Sequence, residues 1–128
     1  MHIVSWNING IRAALKKGFL DYLENEHPDI LGVQEVRADL DAVPPEVQPP
    51  PGYQAYFSPA EKKGYSGVGL FTKTAPQKIW TDLGISEFDR EGRLIAADFG
   101  DFILYNINNF FIFFIIKFFQ KRNEVIIR

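Results

Sequence analysis

A mixed α/β fold is predicted from three features of the chain. Two short apolar runs, Ile3-Val4-Ser5 and Ile30-Leu31-Gly32-Val33, read as buried strands. Each gives way to polar residues, Trp6-Asn7-Ile8-Asn9-Gly10 in the first case and Gln34-Glu35 in the second. Between them lies one helix's worth of amphipathic sequence. A β-α-β unit makes its two strands parallel, and if they are also adjacent, Asn7 and Glu35 leave the sheet at the same edge. Ligands bind at that edge in α/β proteins. An amide and a carboxylate converging there can hold a hard divalent cation and a phosphate.

The elements follow in order. Residues 2–6 read as a buried strand. Leu15, Phe19 and Leu23 recur every four residues, with Leu20 and Tyr22 widening the stripe, so residues 15–26 read as a single amphipathic helix. Pro28 stops it. Residues 29–34 read as the second strand, apolar and without alternation. Residues 36–52 form a long connection containing Pro44, Pro45, Pro49, Pro50 and Pro51, a length that is uncommon unless the loop is functional or mobile. Tyr53–Ser58 and Gly67–Lys73 are apolar enough for strands, joined by a polar loop from Pro59 to Ser66 with Gly64 as its turn. Ile79-Trp80 reads as a short strand and Ser86–Gly92 as a charged loop. Arg93–Phe99 and Ile103–Ile107 read as strands joined by a hairpin turn at Asp98-Phe99-Gly100-Asp101-Phe102.

The character changes after Asn108. Residues 110–119 hold six of the chain's 12 Phe and have neither helical nor strand periodicity. With one Lys in ten residues the run is too short to span a bilayer, and no membrane partner is expected. It is β-prone and nearly uncharged, an aggregation hazard wherever it is exposed. Charge divides at the same place. Residues 1–109 carry 10 basic and 15 acidic side chains, and residues 110–128 carry 4 basic and 1 acidic. Any nucleic-acid contact in the first part must therefore rest on local clusters such as Lys62-Lys63. The chain has no cysteine, which excludes disulfides, zinc-thiolate sites and cysteine nucleophiles and fits a reducing cytoplasm. Met1-His2-Ile3-Val4 lacks the features of a signal peptide, so a cytoplasmic location is expected.

Four segments carry residues suited to chemistry. Glu35, just past a buried strand, suits Mg²⁺, which takes oxygen ligands and keeps several waters; on spacing alone a solvated loop carboxylate is the simpler reading. Asn7 and Asn9 flank a bend before Gly10 and suit either a phosphate oxygen or ordinary turn chemistry. Glu61-Lys62-Lys63-Gly64-Tyr65-Ser66-Gly67 joins two cations, an aromatic, a hydroxyl and a flexible backbone. Such groups contact phosphates, and they also make solvated hairpin loops. Glu87-Phe88-Asp89-Arg90-Glu91-Gly92-Arg93 reads as a surface turn with local ion pairs. His2 and His27 read as structural.

Taken together, these segments resemble the N-terminal half of the exodeoxyribonuclease III / apurinic-apyrimidinic endonuclease family, within the wider endonuclease/exonuclease/phosphatase group. The stretches that carry the resemblance are Ile3-Val4-Ser5-Trp6-Asn7-Ile8-Asn9-Gly10-Ile11-Arg12-Ala13, Pro28-Asp29-Ile30-Leu31 with Val33-Gln34-Glu35, Ala60-Glu61-Lys62-Lys63-Gly64-Tyr65-Ser66-Gly67-Val68, and Glu87 to Arg93. They occur in order over residues 1–107. The resemblance implies an α/β (α+β) architecture, a mixed β-sheet with flanking helices forming one half of a two-sheet sandwich. It implies a Mg²⁺-dependent DNA-repair phosphodiesterase, with Mn²⁺ as a substitute cofactor, acting on double-stranded DNA at abasic sites or 3′ ends. Carried over by position, Glu35 matches the metal-ligand glutamate and Asn7 the active-site asparagine beside it. Asn9 falls where some relatives place an aspartate near the metal. Lys63, Tyr65 and Gly67 match a DNA-contacting loop, and Arg12 lies in a segment that approaches the phosphate backbone. Arg90 and Arg93 match the pattern in supporting roles.

The resemblance weakens after Ile107. The family continues with a Tyr-x-Pro-Asn segment, where this chain has Asn108 and then Phe110-Phe111. No Asp follows Asp101 and no His follows His27, so the family's later Asp-x-Asn and Asp-His segments have no counterpart here. Residues 108–128 are expected to be an aberrant Phe/Ile-rich tail, a shifted reading of the coding sequence or a degenerated one. Only one sheet of the sandwich is expected to be fully encoded, leaving its apolar inner face without a partner layer and open to self-association. Two other functions compete: a non-catalytic fragment that binds metal or DNA weakly, and a phosphodiesterase of the same superfamily acting on RNA or phosphoinositides.

Overall fold

Strands β1 (His2–Asn7) and β2 (Ile30–Gln34) lie side by side and parallel, in register from Ile3 opposite Ile30 to Asn7 opposite Gln34. The computed structural model describes residues 1–108 and, beyond them, the backbone of two strands, Phe114–Phe118 and Ile126–Ile127. The connection between β1 and β2 is helical, as its apolar spacing predicts, but it forms two helices, α1 (Ile11–Lys16) and α2 (Phe19–Glu26). Gly18 separates them with φ of 100°, a conformation that glycine alone enters without strain. The break lets Ile11 and Ala14 bury alongside Phe19 and Leu23. His27 then closes α2 in the left-handed region, its N–H bonded to the Leu23 carbonyl at 3.0 Å, and Pro28 follows.

Strands β3 (Gln54–Ser58) and β4 (Val68–Thr72) extend the sheet antiparallel to β2. Every residue of β2 and of β4 is buried, as befits central strands covered on both faces. Alternation sorts their side chains. Val4, Leu31, Val33 and Phe71 pack with Ile11, Ala14, Phe19 and Leu23 on the helical face. Ile3, Ile30, Val68 and Leu70 point the other way.

That other face is covered. After β5 (Lys78–Trp80), a one-turn helix α3 (Ser86–Asp89) stands where a charged loop is expected, and β6 (Leu94–Asp98) and β7 (Phe102–Ile107) follow. Ile95, Ala97, Phe102 and Leu104 from β6 and β7 meet Ile3, Ile30, Val68 and Leu70 in one apolar cluster. The expectation of an inner face without a partner layer is therefore corrected. The physical reason is the alternation along β7, which sends Phe102, Leu104 and Asn106 inward and leaves the residues between them half-buried. Among the described residues, the face from which self-association was expected is covered.

The two described segments beyond residue 108 are both strands. Strand β8 (Phe114–Phe118) pairs antiparallel with β7, Asn106 opposite Phe114 and Phe102 opposite Phe118. Strand β9 (Ile126–Ile127) lies parallel to β1 at the edge of the first sheet. The sheets thus run β3-β4-β2-β1-β9 and β5-β6-β7-β8. A β-prone run beside the open edge of β7 gains ladder hydrogen bonds there. The expectation of an aberrant tail over 108–128 falls largely outside the described residues.

The long proline-rich connection packs rather than loops free. It contains a short 3₁₀ turn, Pro45–Val47, and buries Val43 and Val47 against the helical face. Gln48 Nε2 donates to the carbonyls of Leu40 and Val43, at 3.2 and 2.8 Å. Tyr53, at its end, is buried and donates its hydroxyl to the Pro28 carbonyl at 2.7 Å. Burial, with the Asp29 carboxylate and Tyr22 adding to it, pushes the Tyr53 hydroxyl up to about 12 from 10.0. The folded-state value is the higher one, so the stabilisation is complete below pH 10 and is lost as pH rises toward 12. Urea unfolding of Tyr53→Phe at pH 9 and at pH 12 checks this. The variant is expected to be less stable at pH 9, through loss of the hydrogen bond, and to lose less stability than the parent between the two pH values.

Candidate functional site at one edge of the sheets

Strand directions bring five chain segments to a single edge. The parallel strands β1 and β2 both end there. Strand β4 begins there and β3 ends there, since Ser58 and Gln34 both lie opposite Val68. In the second sheet Leu94, the start of β6, pairs with Ile107, the end of β7, and Asn106 of β7 hydrogen-bonds Gln34. The edge therefore gathers Asn7, Asn9 and Arg12 from the β1–α1 turn, Glu35 and Arg37 past β2, Lys62 to Gly67 from the β3–β4 loop, Arg93 before β6, and Asn108 after β7.

The β1–α1 turn and the segment after β2 continue side by side beyond the sheet. Ile8 N–H donates to the Gln34 carbonyl at 3.1 Å, Gly10 N–H to the Glu35 carbonyl at 2.8 Å, and Ile11 N–H to the Val36 carbonyl at 2.9 Å. On its other side this segment is held by the β3–β4 loop. Val36 N–H donates to the Gly67 carbonyl at 3.0 Å and Arg37 N–H to the Ser66 carbonyl at 2.7 Å. Glu35 is thus fixed from both flanks. Asn7, at the end of β1 opposite Gln34, is exposed, and Asn7 Oδ1 accepts from Asn9 N–H at 3.2 Å, which shapes the turn.

Backbone strain concentrates at the same place. Among the described residues, five other than glycine have positive φ, and four of them are here: Asn9 at 49°, Glu35 at 53°, Arg37 at 53° and Ser66 at 44°. A left-handed non-glycine residue costs about 1–2 kcal/mol. Such conformations persist where surrounding bonds over-determine them, and they cluster at functional sites.

The Glu35 carboxylate is partly exposed and accepts from Arg37 Nη2 at 2.9 Å, with Arg37 half exposed. Residue types alone did not point to Arg37; a cation two residues past Glu35 is the signal that could have. The β3–β4 loop presents Tyr65, 46% exposed, with Lys62 Nζ 5.4 Å from its ring centroid. Lys63 is exposed beside it, and Arg12 is exposed on the first turn of α1. Gly67 is buried and contributes its carbonyl to the clamp on Glu35 rather than a free surface.

The charged segment 87–93 docks onto this loop. Glu61 N–H donates to the Arg90 carbonyl at 2.9 Å. Arg93 pairs with Glu91 and donates through Nη1 to the Asn108 carbonyl at 2.9 Å. Asn108 returns its N–H to the Arg93 carbonyl at 2.9 Å, and its side-chain amide reaches Ser66 Oγ at 3.4 Å. The segments 61–67 and 87–93 thus form one unit.

The donors fit a hard divalent ion that keeps most of its own waters. Glu35 supplies one partly exposed carboxylate, Asn7 an exposed amide on the turn bonded to the same segment, and Mg²⁺ is commonly held by one or two carboxylates plus water and phosphate. Among the described residues, no group of three or more His, Asp or Glu side chains could by itself hold a metal.

Comparison with known proteins gives this fold and this edge a family. The model of the Endonuclease/Exonuclease/phosphatase family matches residues 4–113. The chain belongs to this family. It is 39% identical over 106 residues to the DNA-(apurinic or apyrimidinic site) endonuclease of Dictyostelium discoideum, a match covering 83% of this chain and 29% of that protein. It is 41% identical over 100 residues to the exodeoxyribonuclease of Bacillus subtilis strain 168, covering 77% of this chain and 38% of that one. Its fold superimposes on the 3′ phosphatase NExo from Neisseria bound to a product DNA hairpin with a TM-score of 0.70 and 28% identity, over 82% of this chain and 40% of the other. The chain thus spans about a third of the length of these curated relatives. Among the described residues, no helix is long and apolar enough to cross a membrane.

Proposed function

We propose that this edge is the metal- and phosphate-binding side of a Mg²⁺-dependent DNA-repair phosphodiesterase, acting on duplex DNA at abasic sites or 3′ ends in a reducing cytoplasm. The observation that supports it best is the convergence of Asn7, Glu35 and the Lys62–Gly67 loop on one strained, doubly clamped edge, in a chain of this family. In this reading Glu35 and Asn7 hold the ion, with Mn²⁺ able to replace Mg²⁺. The bound ion would neutralise charge developing on the phosphate oxygens. Asn9 shapes the turn that aims Asn7. Arg12 and Lys63 meet backbone phosphates, and Tyr65 lies against the sugar-phosphate chain. Arg37 neutralises Glu35 when no ion is present.

A second reading is a fragment that binds metal or DNA weakly without turnover. It is favoured by the absence, among the described residues, of any group of three or more His, Asp or Glu side chains that could hold a metal. One assay separates the two. The chain is incubated with a duplex carrying a single abasic site, with and without Mg²⁺, alongside Glu35→Ala. Metal-dependent incision lost in Glu35→Ala establishes the phosphodiesterase; binding of the duplex without incision establishes the fragment.

A further inference from the structure

Two buried amides lie directly behind the clamped edge, one from each sheet. Gln34 is 1% exposed and Asn106 is fully buried. Gln34 Nε2 donates to Asn106 Oδ1 at 2.8 Å and to Ser5 Oγ at 3.1 Å. Asn106 Nδ2 donates to the Gly69 carbonyl at 2.7 Å and to the Val33 carbonyl at 3.1 Å. The pair therefore ties β7 of one sheet to β1, β2 and β4 of the other. The buried cluster beside it that joins the two sheets is apolar and non-directional. Apolar packing tolerates small sliding of one sheet on the other, whereas amide hydrogen bonds weaken steeply with distance and angle. Buried and satisfied, such a network fixes one arrangement.

We propose that Gln34 and Asn106 are positioning residues of the site: they set the register between the sheets at this edge, and through it the placement of Glu35. The inference rests on the reading of Glu35 as a metal ligand only for its functional consequence. Gln34 is bonded to Glu35 in the chain, and Asn106 lies two residues before Asn108, which anchors Arg93 and reaches Ser66. Ser66 in turn accepts from Arg37. Both routes from the amide pair end on the segment that carries the carboxylate.

The test is hydrogen–deuterium exchange on the full chain, with Gln34→Met, Asn106→Leu and the swapped double variant Gln34→Asn/Asn106→Gln. The amides of Gly10, Ile11, Val36 and Arg37 report the clamp. Exchange at these four is expected to accelerate at least tenfold in each single variant, with the amides of α2 unchanged and with the swap restoring protection. Unchanged exchange, or acceleration spread equally over α2, would overturn the proposal, since a merely structural pair moves every amide together. Should a single variant not fold, the double variant Gln34→Met/Asn106→Leu, which leaves neither amide orphaned, carries the same comparison. Mn²⁺ titration of the same proteins supplies the functional readout. The single variants are expected to bind about tenfold more weakly than the parent. A parent that binds no Mn²⁺ would end the metal reading, while the exchange data still decide the positioning role.

Discussion

Replacing Gly92 with alanine is expected to destabilise the fold by about 3 kcal/mol and to detach the segment 87–93 from the loop that carries Lys62 and Tyr65. Gly92 has φ of 59°, and an added Cβ would lie 2.5 Å from Ala60 N, 2.5 Å from the Pro59 carbonyl carbon and 2.6 Å from the Ser58 carbonyl oxygen. All three are backbone atoms, so no side chain can rotate away. Left-handed strain of about 1–2 kcal/mol then adds to an overpacking cost of about 1–3 kcal/mol. The relief open to the chain is to move the strand entry at Leu94 away from the β3–β4 loop, which breaks the bond between Glu61 and the Arg90 carbonyl. Urea unfolding gives the stability change, and proteolysis between residues 59 and 66 reports the freed loop. A Gly92→Ala variant as stable as the parent, with the loop still protected, would show that the two segments are not packed as described. Gly64→Ala is the control: its φ is also positive, at 71°, but nothing lies within 4 Å of the added carbon. It is expected to show the backbone cost alone.

The contrast between these glycines marks how far the sequence could be read. The parallel β1–β2 pair was legible because two unbroken apolar runs flank a helical stripe, and hydrophobic burial acts on that pattern directly. The break at Gly18 was not, because Leu15, Phe19 and Leu23 keep helical spacing straight across it. A glycine inside a helix costs only about 1 kcal/mol, too little to announce a break. That Asn7 and Glu35 leave the sheet at one edge was legible from strand direction once β1 and β2 are adjacent, as they are. Arg37 was missed because left-handed backbone at two non-glycine residues is set by hydrogen bonds from elsewhere in the chain. Gln34 and Asn106 were missed for a related reason. A polar residue at the end of an apolar run reads as the point where the strand meets solvent, and only the arrival of the second sheet buries it. That sheet was itself expected to be incomplete, since the family's segments after Ile107 have no counterpart in the chain. Yet the backbone of its last strand-forming residues pairs along β7.

Glu35→Gly is expected to separate the backbone role of this position from its side-chain role. Left-handed strain at Glu35 costs about 1–2 kcal/mol, which glycine removes. Glycine gives back about 0.5–1 kcal/mol through the larger entropy of its unfolded chain. The lost contact with Arg37 is an exposed ion pair, worth about 0–1 kcal/mol. The balance leaves Glu35→Gly close to the parent in stability, within about 1 kcal/mol. Glu35→Ala keeps a Cβ in the left-handed region and loses the same ion pair, so it is expected to be the less stable of the two. Both variants lack the carboxylate, and both are expected to lose Mn²⁺ binding by at least tenfold, as far as the affinity can be followed. A Glu35→Gly protein that unfolds more readily than Glu35→Ala would contradict the left-handed backbone. One that keeps the parent's Mn²⁺ affinity would remove Glu35 from the ion's ligands. The expected outcome, a carboxylate kept where glycine would be as stable or more so, is what selection for binding at this edge produces.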